Sequence, residues 1–214
     1  MARLSGVIYD LDGTLIDSRA DLADSVNAML RRMGLPEHAD RVVWSFVGEG
    51  AELLIRRSLG PRHEARYPEA APLWREEYGA RLLVKTRLYD GIEDLLRAPP
   101  VLRAVLTNKP GAFARAIVRG LGVDGAFSAV VGGDEAPRKP SADGLLLLCA
   151  RLGIQPAEAL MVGDTTFDIA TGKAAGVRTC AVAWGLGERS ALLAADDLCE
   201  TPAELSALVH RLGT

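Results

Sequence analysis

The chain has 214 residues, 49% of them hydrophobic and 25% charged, with 25 basic against 28 acidic side chains. Such a chain can form one α/β domain or a core with a sizeable insertion, and its composition excludes a disordered, collagenous or coiled-coil protein. A net charge of −3 provides no basic footprint, so no nucleic-acid partner is expected.

The first residues, Met1-Ala2-Arg3-Leu4-Ser5-Gly6, run directly into a β-like stretch without the apolar segment of a signal peptide. A first strand is expected over residues 6–10. About ninety residues separate it from the next expected strand, where a simple crossover needs only about a dozen. Leu22, Val26, Met29, Leu30 and Met33 fall on one helical stripe, and further helices are expected near 41–59 and over 61–83, the last interrupted by Pro68 and Pro72. This stretch reads as an all-helical insertion, nearly neutral, with 12 basic and 10 acidic residues between Arg19 and Arg87.

Beyond it, short apolar runs alternate with helical spacing, the pattern of repeated βα units. Strands are expected over 101–106, 129–132, 159–162 and 179–183, and helices over 112–121, 143–152, 167–175 and 203–212. The strands are continuously apolar, as parallel strands covered on both faces should be. Gly122 and Gly153 mark helix ends, and Thr201-Pro202 marks a helix start. Cys149, Cys180 and Cys199 are widely spaced in apolar contexts, which suggests inert buried thiols in a reducing cytoplasm. The longest apolar run, residues 145–150, is too short to span a bilayer, so no membrane partner is expected.

In open parallel sheets, ligands collect beyond the carboxyl ends of the strands. Strand one ends in Asp10-Leu11-Asp12-Gly13-Thr14, strand two in Thr107-Asn108-Lys109, and strand four in Gly163-Asp164-Thr165-Thr166-Phe167-Asp168; Arg138-Lys139-Pro140 follows strand three. Four acids would thus share one edge. Unit charges 4 Å apart repel by about 4 kcal/mol at an effective dielectric of 20, so the cluster calls for a cation. Mg²⁺ suits a site of few carboxylates plus waters and phosphate. Thr107 and Lys139 would complete a cradle for a polyoxyanion, one by hydrogen bond and one by charge.

These motifs resemble the haloacid dehalogenase-like hydrolases: D-x-D-G-T, a hydroxyl residue after strand two, a lysine, and G-D-x-x-x-D, in that order along nearly the whole chain. Within that family the chain is most similar to phosphoglycolate phosphatases, through Tyr9-Asp10-Leu11-Asp12-Gly13-Thr14-Leu15-Ile16-Asp17-Ser18, Val47-Gly48-Glu49-Gly50-Ala51, Leu106-Thr107-Asn108-Lys109-Pro110 and Trp184-Gly185. The resemblance implies a Rossmann-like α/β core, residues 1–17 and 89–214, with a helical cap, residues 18–88. It implies Asp10 as nucleophile, forming an aspartyl-phosphate, and Asp12 as general acid and then base. Mg²⁺ would be held by the Asp10 side chain, the Asp12 backbone carbonyl and Asp164, with Asp168 supporting through waters. Thr107 and Lys139 would hold the transferring phosphoryl oxygens, and Asn108, Gly48 and Glu49 are candidate substrate contacts.

The implied partner is a small phosphorylated metabolite, with 2-phosphoglycolate first. A sugar phosphomutase of the β-phosphoglucomutase type, a pyrophosphatase or nucleotidase on the same fold, and a phospho-aspartate switch are the alternatives. Thr14 favours hydrolysis over the mutase, and Asp12 with a helical lid disfavours the switch. Monomer and dimer both stay open. Asn108 could equally cap the next helix. Lys109 is expected to face solvent, Arg56 and Arg57 to lie on a solvated face, and Trp44, Trp74 and Trp184 to pack. His38, His63 and His210 show no ligand spacing. Ser141-Ala142, where relatives carry a second proline, would loosen the loop that carries Lys139. The proline-rich Arg97-Ala98-Pro99-Pro100 would shorten the helix before strand two.

Overall fold

The structure is a computed structural model that describes residues 3–97 and 101–214. The chain runs through β1 (Gly6–Tyr9) and β2 (Ile16–Asp17), then through α1 (Arg19–Arg32), α2 (Asp40–Trp44), α3 (Ala51–Leu59) and α4 (Tyr67–Gly79). It continues through β3 (Arg87–Leu88), α5 (Ile92–Arg97), β4 (Leu102–Leu106), α6 (Gly111–Gly120) and β5 (Ala129–Val131). The remainder comprises α7 (Asp143–Leu152), β6 (Ala159–Gly163), α8 (Thr166–Ala175), β7 (Arg178–Val182), α9 (Arg189–Leu192), β8 (Asp197–Cys199) and α10 (Pro202–Gly213).

Six strands form a parallel sheet in the order β5-β4-β1-β6-β7-β8. The two-residue period of a strand divides β1 between two cores. Val7 and Tyr9 pack with apolar residues of α5, α6 and α10, whereas Ile8 packs with Leu145, Leu148 and Cys149 of α7. Both faces are therefore covered, which explains the unbroken apolar runs. The chain adds β4 and β5 on one side of β1 and β6, β7 and β8 on the other. The crevice beyond the carboxyl ends of β4, β1 and β6 is the switch point where such sheets bind ligands. Tyr9 is in register with both Val105 and Val162, which brings Asp10 to that edge within one residue of the level of Thr107 and Asp164.

Helices α1–α4 surround an apolar cluster of their own, in which the α1 stripe meets Val43, Leu54, Ile55, Leu59, Ala70, Trp74 and Tyr78. A two-stranded antiparallel ribbon joins them to the sheet, with Ile16 opposite Leu88 and Asp17 opposite Arg87. The returning segment is fastened by Asp21, fully buried, whose carboxylate accepts bonds from Lys85 N, Thr86 N and Thr86 Oγ1 at 2.7–3.1 Å.

Several expectations need correction. The helix expected near 41–59 is two helices, because Gly48 and Gly50, both at positive φ, turn the chain between them. Pro68 and Pro72 do not break α4. Pro68 lies at its start, where a missing N–H has no helical acceptor to lose, and burial of Ala70, Trp74 and Tyr78 along one face offsets the bond lost at Pro72. β2, β3, β8 and α9 are too short to leave a periodic signal. Residues 98–100 of the proline-rich segment lie outside the described residues. All three cysteines are free and buried. Among the described residues no helix is long and apolar enough to cross a membrane.

Candidate active site

Asp10 follows β1 directly, and its backbone N–H still continues the ladder to Val162 O at 2.8 Å. Its carboxylate Oδ1 accepts from Leu11 N at 2.7 Å and pairs with Lys139 Nζ at 2.7 Å. Oδ2 receives no donor among the described residues. Three residues on, Gly13 takes φ +87°, and a Cβ there would stand 2.2 Å from Asp164 Oδ2. The glycine of the motif thus turns the chain and leaves room for the third acid.

Asp164, after β6, is fully buried; its Oδ1 accepts from Thr14 Oγ1 at 2.9 Å and its Oδ2 from Leu186 N at 2.7 Å. Asp168, in the first turn of α8, serves two purposes. Its Oδ2 closes a capping box with Thr165, accepting from that residue's N at 3.0 Å and Oγ1 at 2.7 Å, while Oδ1 pairs with Lys139 Nζ at 2.6 Å. Asp10, Asp164 and Asp168 each offer a carboxylate oxygen within 4.8 Å of the others. Among the described residues only Lys139 is ion-paired within this cluster, to Asp10 and Asp168.

At that separation like charges repel by about 3 kcal/mol per pair at an effective dielectric of 20. Burial first, with Asp168 and Asp12 adding to it against the pull of Lys139, lifts the Asp10 carboxyl to about 7. Burial, then Asp10 and Asp168, lift Asp164 to about 8 despite the bonds from Leu186 and Thr14. Burial opposes the Lys139 charge, but Asp10 and Asp168 outweigh it and hold the ammonium above the usual lysine range. Three buried acids around one lysine form a donor set of hard oxygens with a deficit of positive charge. A divalent cation fits it.

Asp12 stands apart from this trio. Its Oδ1 accepts from Ser18 Oγ and from Lys109 Nζ, the latter at 2.5 Å. Lys109 is buried, contrary to the expectation of a solvent-facing side chain, and also donates to Tyr78 Oη at 2.7 Å. Burial works against its charge, but Asp12 and Tyr78 prevail and raise its pKa. A contact between distant segments compensates this lysine, so nothing in its immediate sequence could reveal it.

Asn108 does not cap α6. Its side-chain oxygen accepts from Lys139 N at 2.8 Å, and its amide donates to Lys139 O at 3.2 Å and to Gly48 O at 3.0 Å. The Lys139 loop is therefore fastened from both sides, whatever Ser141-Ala142 adds to its freedom. Thr107 is buried and accepts from Lys109 N at 3.2 Å. Asp10, Asp12, Thr107, Asn108 and Lys109 line a cleft closed from the helical side by Leu22, Val47, Gly48, Gly50, Leu54 and Trp74, among others. Glu49 is turned to pair with Arg57 at 2.5 Å, and Arg56 lies over the Tyr67 ring at 4.2 Å. Trp184 packs against the core and ties its Nε1–H to Thr14 O at 3.0 Å.

The sequence model of the haloacid dehalogenase-like hydrolase family matches residues 7–182. The chain belongs to this family. The phosphoglycolate phosphatase of Chromobacterium violaceum is 39% identical over 204 residues, 90% of each protein. The N-acetylmuramic acid 6-phosphate phosphatase of Pseudomonas aeruginosa is 35% identical over 219 aligned positions, 98% of this chain and 96% of that one. The crystal structure of a predicted phosphoglycolate phosphatase from Haemophilus somnus superimposes with a TM-score of 0.90 at 28% identity, covering 97% of this chain and 99% of that one. This haloacid dehalogenase-like hydrolase is an enzyme of the phosphoric monoester hydrolase class, similar to phosphoglycolate phosphatases.

Proposed function

We propose that the chain is a Mg²⁺-dependent phosphatase acting on a small phosphate monoester, 2-phosphoglycolate first, through an aspartyl-phosphate on Asp10. The observation that carries this reading is the convergence of Asp10, Asp164, Asp168 and Lys139 at the switch point of the sheet, with Asp12 held separately beside them. The Asp10 side chain, the Asp12 backbone carbonyl and Asp164 would hold the cation, with Asp168 behind them through waters. Bound there, Mg²⁺ supplies charge neutralisation for the phosphoryl oxygens.

Lys139 and Leu11 N both engage Oδ1 of Asp10, so Oδ2 is the oxygen presented for attack on phosphorus. An ionised carboxylate needs no base to activate it. The Oδ1 of Asp12 is likewise engaged, by Ser18 and Lys109, which leaves Oδ2 to give a proton to the leaving oxygen and later to take one from the hydrolytic water. Lys139 and the Thr107 hydroxyl would orient the transferring phosphoryl group. Uncatalysed monoester hydrolysis leaves up to about 10²¹-fold, roughly 29 kcal/mol, to be supplied, so positioning and charge neutralisation must share it. Residues 18–88 would act as a cap over this chemistry, with the β2–β3 ribbon as hinge.

The choice of substrate rests on similarity to the phosphoglycolate phosphatases and on the compact, largely apolar cap side of the cleft, which offers few partners to the hydroxyls of a sugar. A panel of phosphorylated metabolites should rank 2-phosphoglycolate above sugar phosphates, nucleotides, pyrophosphate and N-acetylmuramic acid 6-phosphate; a lower rank removes it. Asp10→Asn should fold and lose turnover by at least about 10³-fold. Retained activity in that variant, or no effect of chelation on the unsubstituted enzyme, overturns the mechanism.

A further inference from the structure

Trp74 lies in the middle of the buried face of α4, between Ala70 and Tyr78. It is 3% exposed, and its Nε1–H is buried with no hydrogen-bond partner among the described residues. Buried indole N–H groups ordinarily find an acceptor, and leaving one unmet is costly. The ring is held on two sides, stacked on Tyr78 at 5.1 Å and meeting Phe113 edge-on at 6.0 Å, so it has little freedom to seek one. It also lines the cleft that contains Asp10 and Asp12.

We propose that the Trp74 indole N–H is the cap's donor to the leaving group of the substrate, and that the group it receives is a carboxylate. The inference rests on the phosphatase reading above and deepens it by assigning one helical-side residue to the carboxylate of the substrate. Two features of the cleft select an acceptor that carries no protons. Lys109 spends two of its three N–H donors on Asp12 and Tyr78, which leaves one for a ligand beside Trp74. The other cap-side side chains, Leu22, Val47, Ala51 and Leu54, accept no hydrogen bonds from a polyhydroxylated group, and the carbonyls of Gly48 and Gly50 already accept from Asn108 and from Leu54 N. A carboxylate meets both donors without burying a proton unpaired.

The test compares 2-phosphoglycolate with ethyl phosphate, in which a methyl group replaces the carboxylate. In the unsubstituted enzyme kcat/KM should favour 2-phosphoglycolate. Trp74→Phe keeps an aromatic ring and removes the N–H; it should cut the ratio of the two kcat/KM values about tenfold or more, chiefly through KM for 2-phosphoglycolate. A preference unchanged in Trp74→Phe overturns the assignment of Trp74 and leaves the substrate reading standing. No preference in the unsubstituted enzyme overturns both. Should Trp74→Phe fail to fold, Asp10→Asn protein provides the second reading by proton NMR. The indole N–H resonance that survives in both Trp44→Phe and Trp184→Phe backgrounds should move downfield on saturation with 2-phosphoglycolate, and a stationary resonance overturns the proposal.

Discussion

Asp10 and Asp164 hold their protons, without a cation, at a pH where exposed carboxyls have long lost theirs. The consequence for stability has a definite sign. Both groups bind protons more tightly folded than unfolded, so the stability they contribute is complete below about pH 4 and is lost as the pH rises through about 7 and about 8. A divalent cation bound among these acids would replace those protons and remove the loss. Thermal unfolding with chelator should therefore show a melting temperature that falls between pH 5 and pH 8, and saturating Mg²⁺ should raise it by about 5 °C more at pH 8 than at pH 5. An equal effect of Mg²⁺ at both pH values would contradict a cation bound among these acids.

At the level of elements, the long core pieces are legible in the sequence because each carries its own signal. The expected ranges for β1, β4, β6 and β7 agree with the structure to within about a residue at each end, and α7 agrees at both ends, closed by Gly153 in the left-handed conformation. The acids and hydroxyl of the site were legible for the same reason, since they follow strands that periodicity can place. The Lys109–Tyr78 contact was not, because it joins two different elements, and neither was the unmet indole N–H of Trp74, which shows only once its surroundings are packed. Asp21 is a further case: it reads as an ordinary first-turn acid of α1, yet it is the acceptor for the chain returning from the helices. Asp21→Ala would leave two backbone N–H groups and a hydroxyl unmet in a buried place. Urea unfolding should record a loss of about 3 kcal/mol, and a loss below about 1 kcal/mol would mean that the returning segment is held by its other contacts.

Across the whole molecule, few polar links cross the cleft from sheet to helices. Asn108 reaches Gly48 O, Lys109 reaches Tyr78, and Arg138 approaches Glu52 at 3.9 Å. Covalently, the two parts are joined through the short β2–β3 ribbon. Such a connection permits hinge opening for substrate entry and product release. Combining Asn108→Ala with Tyr78→Phe should shift the population toward open forms, seen as a larger radius of gyration by small-angle scattering, and a phosphate mimic with Mg²⁺ should reverse it. Superimposable profiles for all four samples would argue for a fixed assembly.

Thr107, Asn108 and Lys109 are consecutive, yet the first lines the cleft with Asp10 and Asp12, the second grips both the Lys139 loop and Gly48, and the third joins Asp12 to Tyr78. A chimera that grafts the helices of a relative onto this sheet keeps only the sheet-side partner of the Asn108–Gly48 and Lys109–Tyr78 bonds and should be impaired in turnover as well as altered in selectivity. Exchanges at Leu22, Val47 and Leu54 reshape the same wall and leave the tripeptide's bonds intact. Retargeting this scaffold to a new ester is therefore a task for point changes in that wall rather than for swapping modules.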